Sequence, residues 1–156
     1  MAGPMATVLL QTTMGDVKIE LFESTMPITA GNFRKLVEKG FYDGTIFHRV
    51  IPDFMVQGGD PEGTGFGGPG YEIRDEFTKD NRNARGTISM ANSGPNSGGS
   101  QFFLNVADNR RLDPKHPVFG KVVGGMEVVD AISKAATDAD DCPKTKVAIR
   151  KAKVLP

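Results

Sequence analysis

The sequence predicts a mainly-β protein, a closed or nearly closed antiparallel barrel whose open ends are covered by two α-helices. Three observations carry this. Several short runs rich in Val, Ile, Leu, Phe and Thr alternate with a period of two, only two stretches repeat apolar residues at helical spacing, and Gly, Pro, Asn and Asp punctuate the junctions. At 156 residues the chain fits one domain with its own core, taken as residues 6–156, with 1–5 as a frayed or extraneous tail. It carries no internal repeat, heptad pattern or low-complexity tract.

Taken in order, Thr7 to Thr12 and Asp16 to Phe22 are β-branched-rich runs joined by Met14-Gly15. The second sets Val17, Ile19 and Leu21 against Lys18 and Glu20, a hairpin with one wet face. Pro27 suits a first helical turn, and Ile28, Phe33, Leu36 and Val37 recur at helical spacing until Gly40, which predicts a helix over Pro27 to Lys39. From Thr45 to Gln57 the period returns to two around Pro52-Asp53, so two short strands flank a turn or bulge, with Phe47, Arg49 and Ile51 on one face and His48 and Val50 on the other. Gly58 to Gly70 is too glycine-rich for a helix and reads as an extended surface loop. Asn81 to Arg85 is a polar connection, Thr87 to Ala91 a strand, Asn92 to Ser100 a turn-rich loop and Gln101 to Val106 another strand. Val118 to Val123 is a short apolar strand. Met126, Val129, Ile132 and Ser133 mark a second helix, Met126 to Ala135, and Thr137 to Thr145 an acidic loop. In Lys146 to Leu155 the inward parity switches from Val147 and Ile149 to Ala152 and Val154, which a bulge near Arg150-Lys151 would reconcile.

Lys+Arg and Asp+Glu both number 19, so no whole-molecule field recruits nucleic acid or an anionic membrane. The single cysteine, Cys142, excludes an intrachain disulfide and a multi-cysteine zinc site and suits a reducing compartment; its neighbours Asp138, Asp140 and Asp141 disfavour a thiolate. No apolar run approaches the ~20 residues of a membrane span, and the N-terminus lacks the pattern of a signal peptide. The expectation is a soluble, cytoplasmic protein, with a monomer as the default.

Most catalytic chemistries find no support. Gly63-Thr64-Gly65-Phe66-Gly67-Gly68 formally matches a dinucleotide fingerprint, but Pro69-Gly70 follows where a helix would have to begin, and no phosphate-cradling Gly-Lys-Ser/Thr is present. The two histidines, His48 and His116, stand at no metal-ligand spacing, and no serine lies in a strand-to-helix elbow. The expectation is therefore no metal and no cofactor. What remains is Arg49, a cation in an apolar strand that must be paired, snorkelling or functional, together with the amides of Gln57, Asn92 and Gln101 among Phe54, Met55, Ala91, Phe103 and Leu112. If they converge, they form an apolar pocket with a neutral hydrogen-bonding rim and one fixed cation, suited to an extended peptide.

These residues carry a resemblance. Phe47-His48-Arg49-Val50-Ile51-Pro52-Asp53-Phe54-Met55-Val56-Gln57-Gly58-Gly59-Asp60, Gly86-Thr87-Ile88-Ser89-Met90-Ala91-Asn92, Gly99-Ser100-Gln101-Phe102-Phe103 and His116-Pro117-Val118-Phe119-Gly120 stand in the order found in cyclophilins. Asn32-Phe33, Gly40-Phe41-Tyr42 and Gly94-Pro95-Asn96 fit as well, and the chain resembles a compact single-domain member of that family of peptidyl-prolyl cis-trans isomerases. The resemblance implies an eight-stranded antiparallel barrel capped by two helices. It implies that Arg49 is the catalytic arginine, steadied by Gln57, and that Phe54, Met55, Phe103 and Leu112 receive the proline ring with His116 at the edge. It further implies that Ala91, Asn92 and Gln101, with Gln57, hold the peptide backbone. Partners would be proline-containing peptides and unfolded or folded protein clients.

Arg111 is a departure, because it falls on a rim position where the family often carries tryptophan or another aromatic. The expectations are reduced affinity for cyclosporin and a shift toward peptides with acidic groups near the proline. Two rival readings remain at this level: a non-catalytic module that docks proline peptides in a larger assembly, and a general chaperone with exposed apolar surface. Retention of both Arg49 and Gln57 favours the enzyme over the first, and no distinctive stretch supports the second.

Overall fold

The computed structural model describes residues 6–156, so the expected tail, 1–5, lies outside the described residues. The elements follow as β1 (Thr7–Thr12), β2 (Gly15–Leu21), α1 (Pro27–Glu38), β3 (Arg49–Ile51), β4 (Met55–Gly58), β5 (Thr87–Met90), β6 (Phe102–Asn105), β7 (Val118–Gly124), α2 (Met126–Ser133) and β8 (Ile149–Val154). A 3-10 turn, Arg110–Leu112, was not anticipated from the sequence. Eight antiparallel strands form one sheet in the order β3-β4-β6-β5-β7-β2-β1-β8.

The expectation of a closed barrel is corrected: the sheet is an open half-barrel in which β3 and β8 share no ladder. The reason lies in the chain before β3. Thr45 to Phe47 runs beside Val147 to Ile149 through the Ile46–Ala148 bridge and three backbone bonds, Gly44 N to Ile149 O at 2.7 Å, Phe47 N to Val147 O at 2.9 Å and Ile149 N to Thr45 O at 2.8 Å. β3 itself turns away, and its Val50 N–H is taken by Asp141 O at 2.8 Å. The same break overturns the expected facing of Phe47. Phe47 and Val50 both point into the core while Arg49 points outward, because the two-residue period does not run through His48.

The helices form where the apolar spacing places them. Phe33 of α1 packs against Tyr42, Phe102 and Phe119 with ring centroids 5.1–5.4 Å apart, the aromatic centre of the trough. Ile28, expected on the inner face, is exposed, and Thr29 and Ala30 are buried instead. The helix ends in a Schellman arrangement. Gly40, at φ 73°, donates to Val37 O and Phe41 donates to Leu36 O, both at 3.0 Å, so the last carbonyls are satisfied at a position only glycine adopts easily. α2 buries Val129, Ile132 and Ser133.

The bulge in β8 lies at Arg150. Gln11 pairs with Lys151 and Thr12 with Ile149, which skips one residue and lets Ile149 and Ala152 both face inward.

The sheet is buried on its outer face as well along β4, β5 and β6, and this second layer positions the site. Val56, Ile88 and Leu104 enter the core, whereas Met55, Ser89, Phe103 and Asn105, of opposite parity, are buried beneath residues 106–117. That strap is tied down by amides. Asn109 Nδ2 donates to Phe54 O at 2.9 Å and to Asn105 Oδ1 at 2.8 Å, while Asn105 Nδ2 donates to Thr87 Oγ1 at 2.9 Å and Ser89 Oγ at 3.2 Å. Asn83, in what reads from sequence as a surface connection, is 1 % exposed and receives the Ser89 hydroxyl at 2.5 Å. Each buried polar atom here has a partner, so the layer costs little for its polarity.

Candidate active site

Strand register builds the site. Arg49 on β3 lies opposite Gln57 on β4, Gln57 opposite Phe103 on β6, and Phe103 opposite Ser89 on β5. Directly opposed residues of antiparallel strands share a face, so cation, amide and aromatic ring form one row across the outer side of the sheet.

Beside this row is a cluster of apolar side chains. Met55 and Phe103 are buried, at 2 % and 4 % exposed, and Phe54 and Leu112 are half-buried. His116 stands edge-on to Phe103, centroids 5.2 Å apart, with its Nδ1 3.0 Å from Met90 O. A carbonyl only accepts, so Nδ1 carries a proton in that bond. The 3-10 turn supplies Leu112, whose carbonyl takes His116 N–H at 2.9 Å. The Arg111 guanidinium lies 4.8 Å above the Phe54 ring centroid.

A concavity of about 560 Å³ is lined by Gln57, Ala91, Asn92 and Gln101 together with the Gly65–Tyr71 stretch. Arg49, Phe54, Met55, Phe103, Leu112 and His116 are absent from its walls, so the sequence-selected residues divide into two adjoining groups with Gln57 at their junction. Asn92 is fixed by a bond from its Nδ2 to Lys115 O at 2.8 Å, and Ala91 N–H donates to Gln101 O at 3.1 Å.

Gln57 does not hydrogen-bond Arg49. Its Nε2 donates to Gln101 Oε1 at 3.0 Å, and Gln101 Nε2 in turn donates to the carbonyls of Gly65 and Gly67, each at 3.0 Å. Arg49 is exposed and makes no ion pair or side-chain hydrogen bond among the described residues. Of the three explanations for an arginine in this strand, pairing within the protein is therefore not the one realised; the guanidinium reaches outward with its donors unspent.

Asp60 organises the site's far wall and was overlooked in the sequence. It is 1 % exposed, and its carboxylate accepts from the N–H groups of Glu62 at 2.8 Å, Thr64 at 2.9 Å and Gly65 at 2.6 Å. Burial pushes its carboxyl upward, but the N–H donors of Glu62, Gly65, Gly67 and Thr64 together outweigh burial and hold it below the usual carboxylate range. The same bonds shape the loop whose Gly65 and Gly67 carbonyls receive Gln101. An Asp followed by Pro-Glu-Gly-Thr-Gly is an Asx-turn pattern, the signal that could have revealed it. His48, behind Arg49, is buried with Nδ1 unpartnered, and burial lowers its pKa, with Asp60 opposing and Arg49 reinforcing the shift.

No group of three or more metal-ligating side chains occurs among the described residues. The arrangement instead offers an apolar cluster, an exposed cation in register with it that is unpaired among the described residues, and a concavity lined by amides and backbone carbonyls.

Comparison with known proteins points to one family. The model of the family described as cyclophilin type peptidyl-prolyl cis-trans isomerase/CLD matches residues 7–154. Peptidyl-prolyl cis-trans isomerase-like 1 of Neurospora crassa is 47% identical over 156 residues, covering 97% of this chain and 96% of its own length. Peptidyl-prolyl cis-trans isomerase ppi1 of Schizosaccharomyces pombe is 47% identical over 155 residues, covering 97% and 100%. Among solved structures, a cyclophilin type peptidyl-prolyl cis-trans isomerase of Cryptosporidium parvum superposes with a TM-score of 0.94 at 35% identity, covering 97% of this chain and 98% of the other. The structure of that enzyme in the presence of the dipeptide Ala-Pro gives 0.92, again at 35% identity, covering 96% and 99%.

Proposed function

The chain belongs to the cyclophilin-type peptidyl-prolyl cis-trans isomerases, and from that premise we propose that it rotates Xaa-Pro bonds by arginine-centred stabilisation of a twisted amide. The proline ring sits on Met55 and Phe103 between Phe54 and Leu112, with His116 at the edge. The flanking backbone lies along Gln57, Ala91, Asn92 and Gln101. In this role the protein assists folding of proline-containing clients and works as a soluble cytoplasmic monomer.

An Xaa-Pro amide resists rotation because resonance gives its C–N bond double-bond character, a barrier of ~18–20 kcal/mol. At the twisted geometry conjugation is lost and the prolyl nitrogen regains a basic lone pair. Arg49 donates a hydrogen bond to that nitrogen, or holds the proline carbonyl so that the twist is favoured. Either interaction is stronger in the transition state than in the planar amide, which is the condition for catalysis. Clamping the proline makes it the fixed side about which the rest of the peptide turns. Four to five decades of acceleration correspond to about 5.5–7 kcal/mol of differential binding.

The observation that carries this reading is the Arg49 guanidinium, exposed and unpaired among the described residues, in register with Gln57 and Phe103 on the face that carries the apolar side chains. It is tested by line-shape exchange on an Ala-Pro peptide. Arg49→Ala should lose about 2–4 kcal/mol of transition-state stabilisation, and equal rates for mutant and wild type would refute the role given to the arginine.

A further inference from the structure

We infer that Arg111 is a specificity-determining residue that selects peptides carrying an anionic side chain next to the proline, an inference that rests on the isomerase site described above. The chain is neutral overall, with 19 residues of each sign, but its charges are not evenly spent around this pocket. The side-chain ion pairs among the described residues are Arg34 with Glu23 and Glu38, and Arg85 with Asp130. None of them involves Arg49, Arg110, Arg111 or Lys115, all of which are exposed. The carboxylates of the same segment are turned to other work. Asp113 Oδ1 accepts from Asn83 N at 2.6 Å and Nδ2 at 3.1 Å, and Asp108 Oδ1 accepts from Arg85 N at 2.9 Å. Exposed Asp53, just before Phe54, and exposed Glu72, on the wall of the amide-lined groove, are carboxylates without a side-chain partner among the described residues, against four cations in the segments that border the proline seat.

Position distinguishes Arg111 from the others. Its guanidinium is held above Phe54, a wall of the proline seat, so a charge that would otherwise wander on a flexible stem is fixed at the pocket's border. The ring restrains the group without consuming it, since Arg111 has no side-chain hydrogen bond or ion pair among the described residues. A carboxylate on the residue before or after a seated proline can then meet a preoriented planar donor, which a lysine ammonium on the same peptide would oppose.

The test is exchange spectroscopy on two peptide sets, Ala-X-Pro-Ala and Ala-Pro-X-Ala, with X as Glu, Gln or Lys, at low and high ionic strength. Wild type should favour Glu over Lys in kcat/KM by about fivefold in at least one set, the scale of one exposed charge pair in each direction. The ratio should fall toward one in ~1 M salt, where the Debye length is about 3 Å. Arg111→Gln should collapse the low-salt ratio and Arg111→Lys should retain part of it. A flat series in both sets, or a ratio that Arg111→Gln leaves intact, overturns the inference. Absence of catalysis on the neutral Gln peptides would instead strike the isomerase reading beneath it, so the two failures are separable.

Discussion

Gln57 donates its side-chain amide to Gln101 Oε1 at 3.0 Å, and this bond joins the strand that faces Arg49 to the segment that lines the amide groove. Gln101 also reaches the Gly65 and Gly67 carbonyls, so one side chain holds three parts of the site. Gln101→Leu should lower kcat/KM on an Ala-Pro peptide by about tenfold, on the order of 1.4 kcal/mol, while the thermal midpoint moves little because the side chain is only half-buried. Exchange rates and a melting curve on the same sample decide it.

Glu76 closes the N-terminus of α1 from 47 residues away, accepting from Thr29 N at 2.9 Å, Thr29 Oγ1 at 3.0 Å and Ile28 N at 3.1 Å. Met26 at the cap provides no such bond. Glu76→Ala should therefore cost about 1–2 kcal/mol of stability and leave the proline seat intact. Urea denaturation, read as a lower midpoint at unchanged slope, checks it.

His48 predicts an acid-side loss of stability. Its folded pKa is lowered from the ordinary 6.5 chiefly by burial, so the unfolded chain binds a proton at a pH where the folded chain does not. Stability should be at its plateau above about pH 6.5 and decline as the pH falls below it toward the folded pKa. Asp60, whose folded pKa is also lowered, adds its own loss below its ordinary 3.8. Urea midpoints between pH 7.5 and 4.5 should show the decline in wild type and a flatter profile in His48→Gln; parallel profiles would refute the assignment.

Asn105 is fully buried and bonded to four side chains, Asn83, Thr87, Ser89 and Asn109. Asn105→Leu strands several of these groups without water and should destabilise by about 2–4 kcal/mol. Because Asn109 also holds the strap over Phe54, hydrogen exchange should accelerate first in residues 106–117. Uniform acceleration across the sheet would contradict the local role.

Period-two patterning was a reliable guide wherever one face met the core. It located the strands to within a few residues, and the parity switch in β8 pointed to a bulge that the register places at Arg150. It misled at Phe47 because the run from Thr45 to Ile51 is one apolar stretch in sequence but two pieces in space, parted at His48. Closure of the sheet was likewise illegible, since strand count and alternation are the same for an open and a closed ladder. The residues singled out by the resemblance divide into two groups, with Gln57 on the strand between them, and Gln57 turns to Gln101 rather than to Arg49: register sets the strands opposite, and the amide then follows whichever acceptor its rotamer reaches. Asp60 and the buried asparagines gave little signal, because polar residues in loops look alike whether they face water or an amide network.

An open sheet leaves two edges at which another chain could add a strand, the usual start of edge-to-edge aggregation. Here the seam between β3 and β8 is a poor template. β3 is three residues long, Pro52 follows it, and its central N–H is already taken by Asp141. The start of β8 is screened by the bonds from Thr45 and Gly44, and its outward positions carry Arg150, Lys151 and Lys153. The turn of β3 away from β8 thus leaves the seam open without making it a template: an incoming strand would find few free backbone groups and a row of like charges.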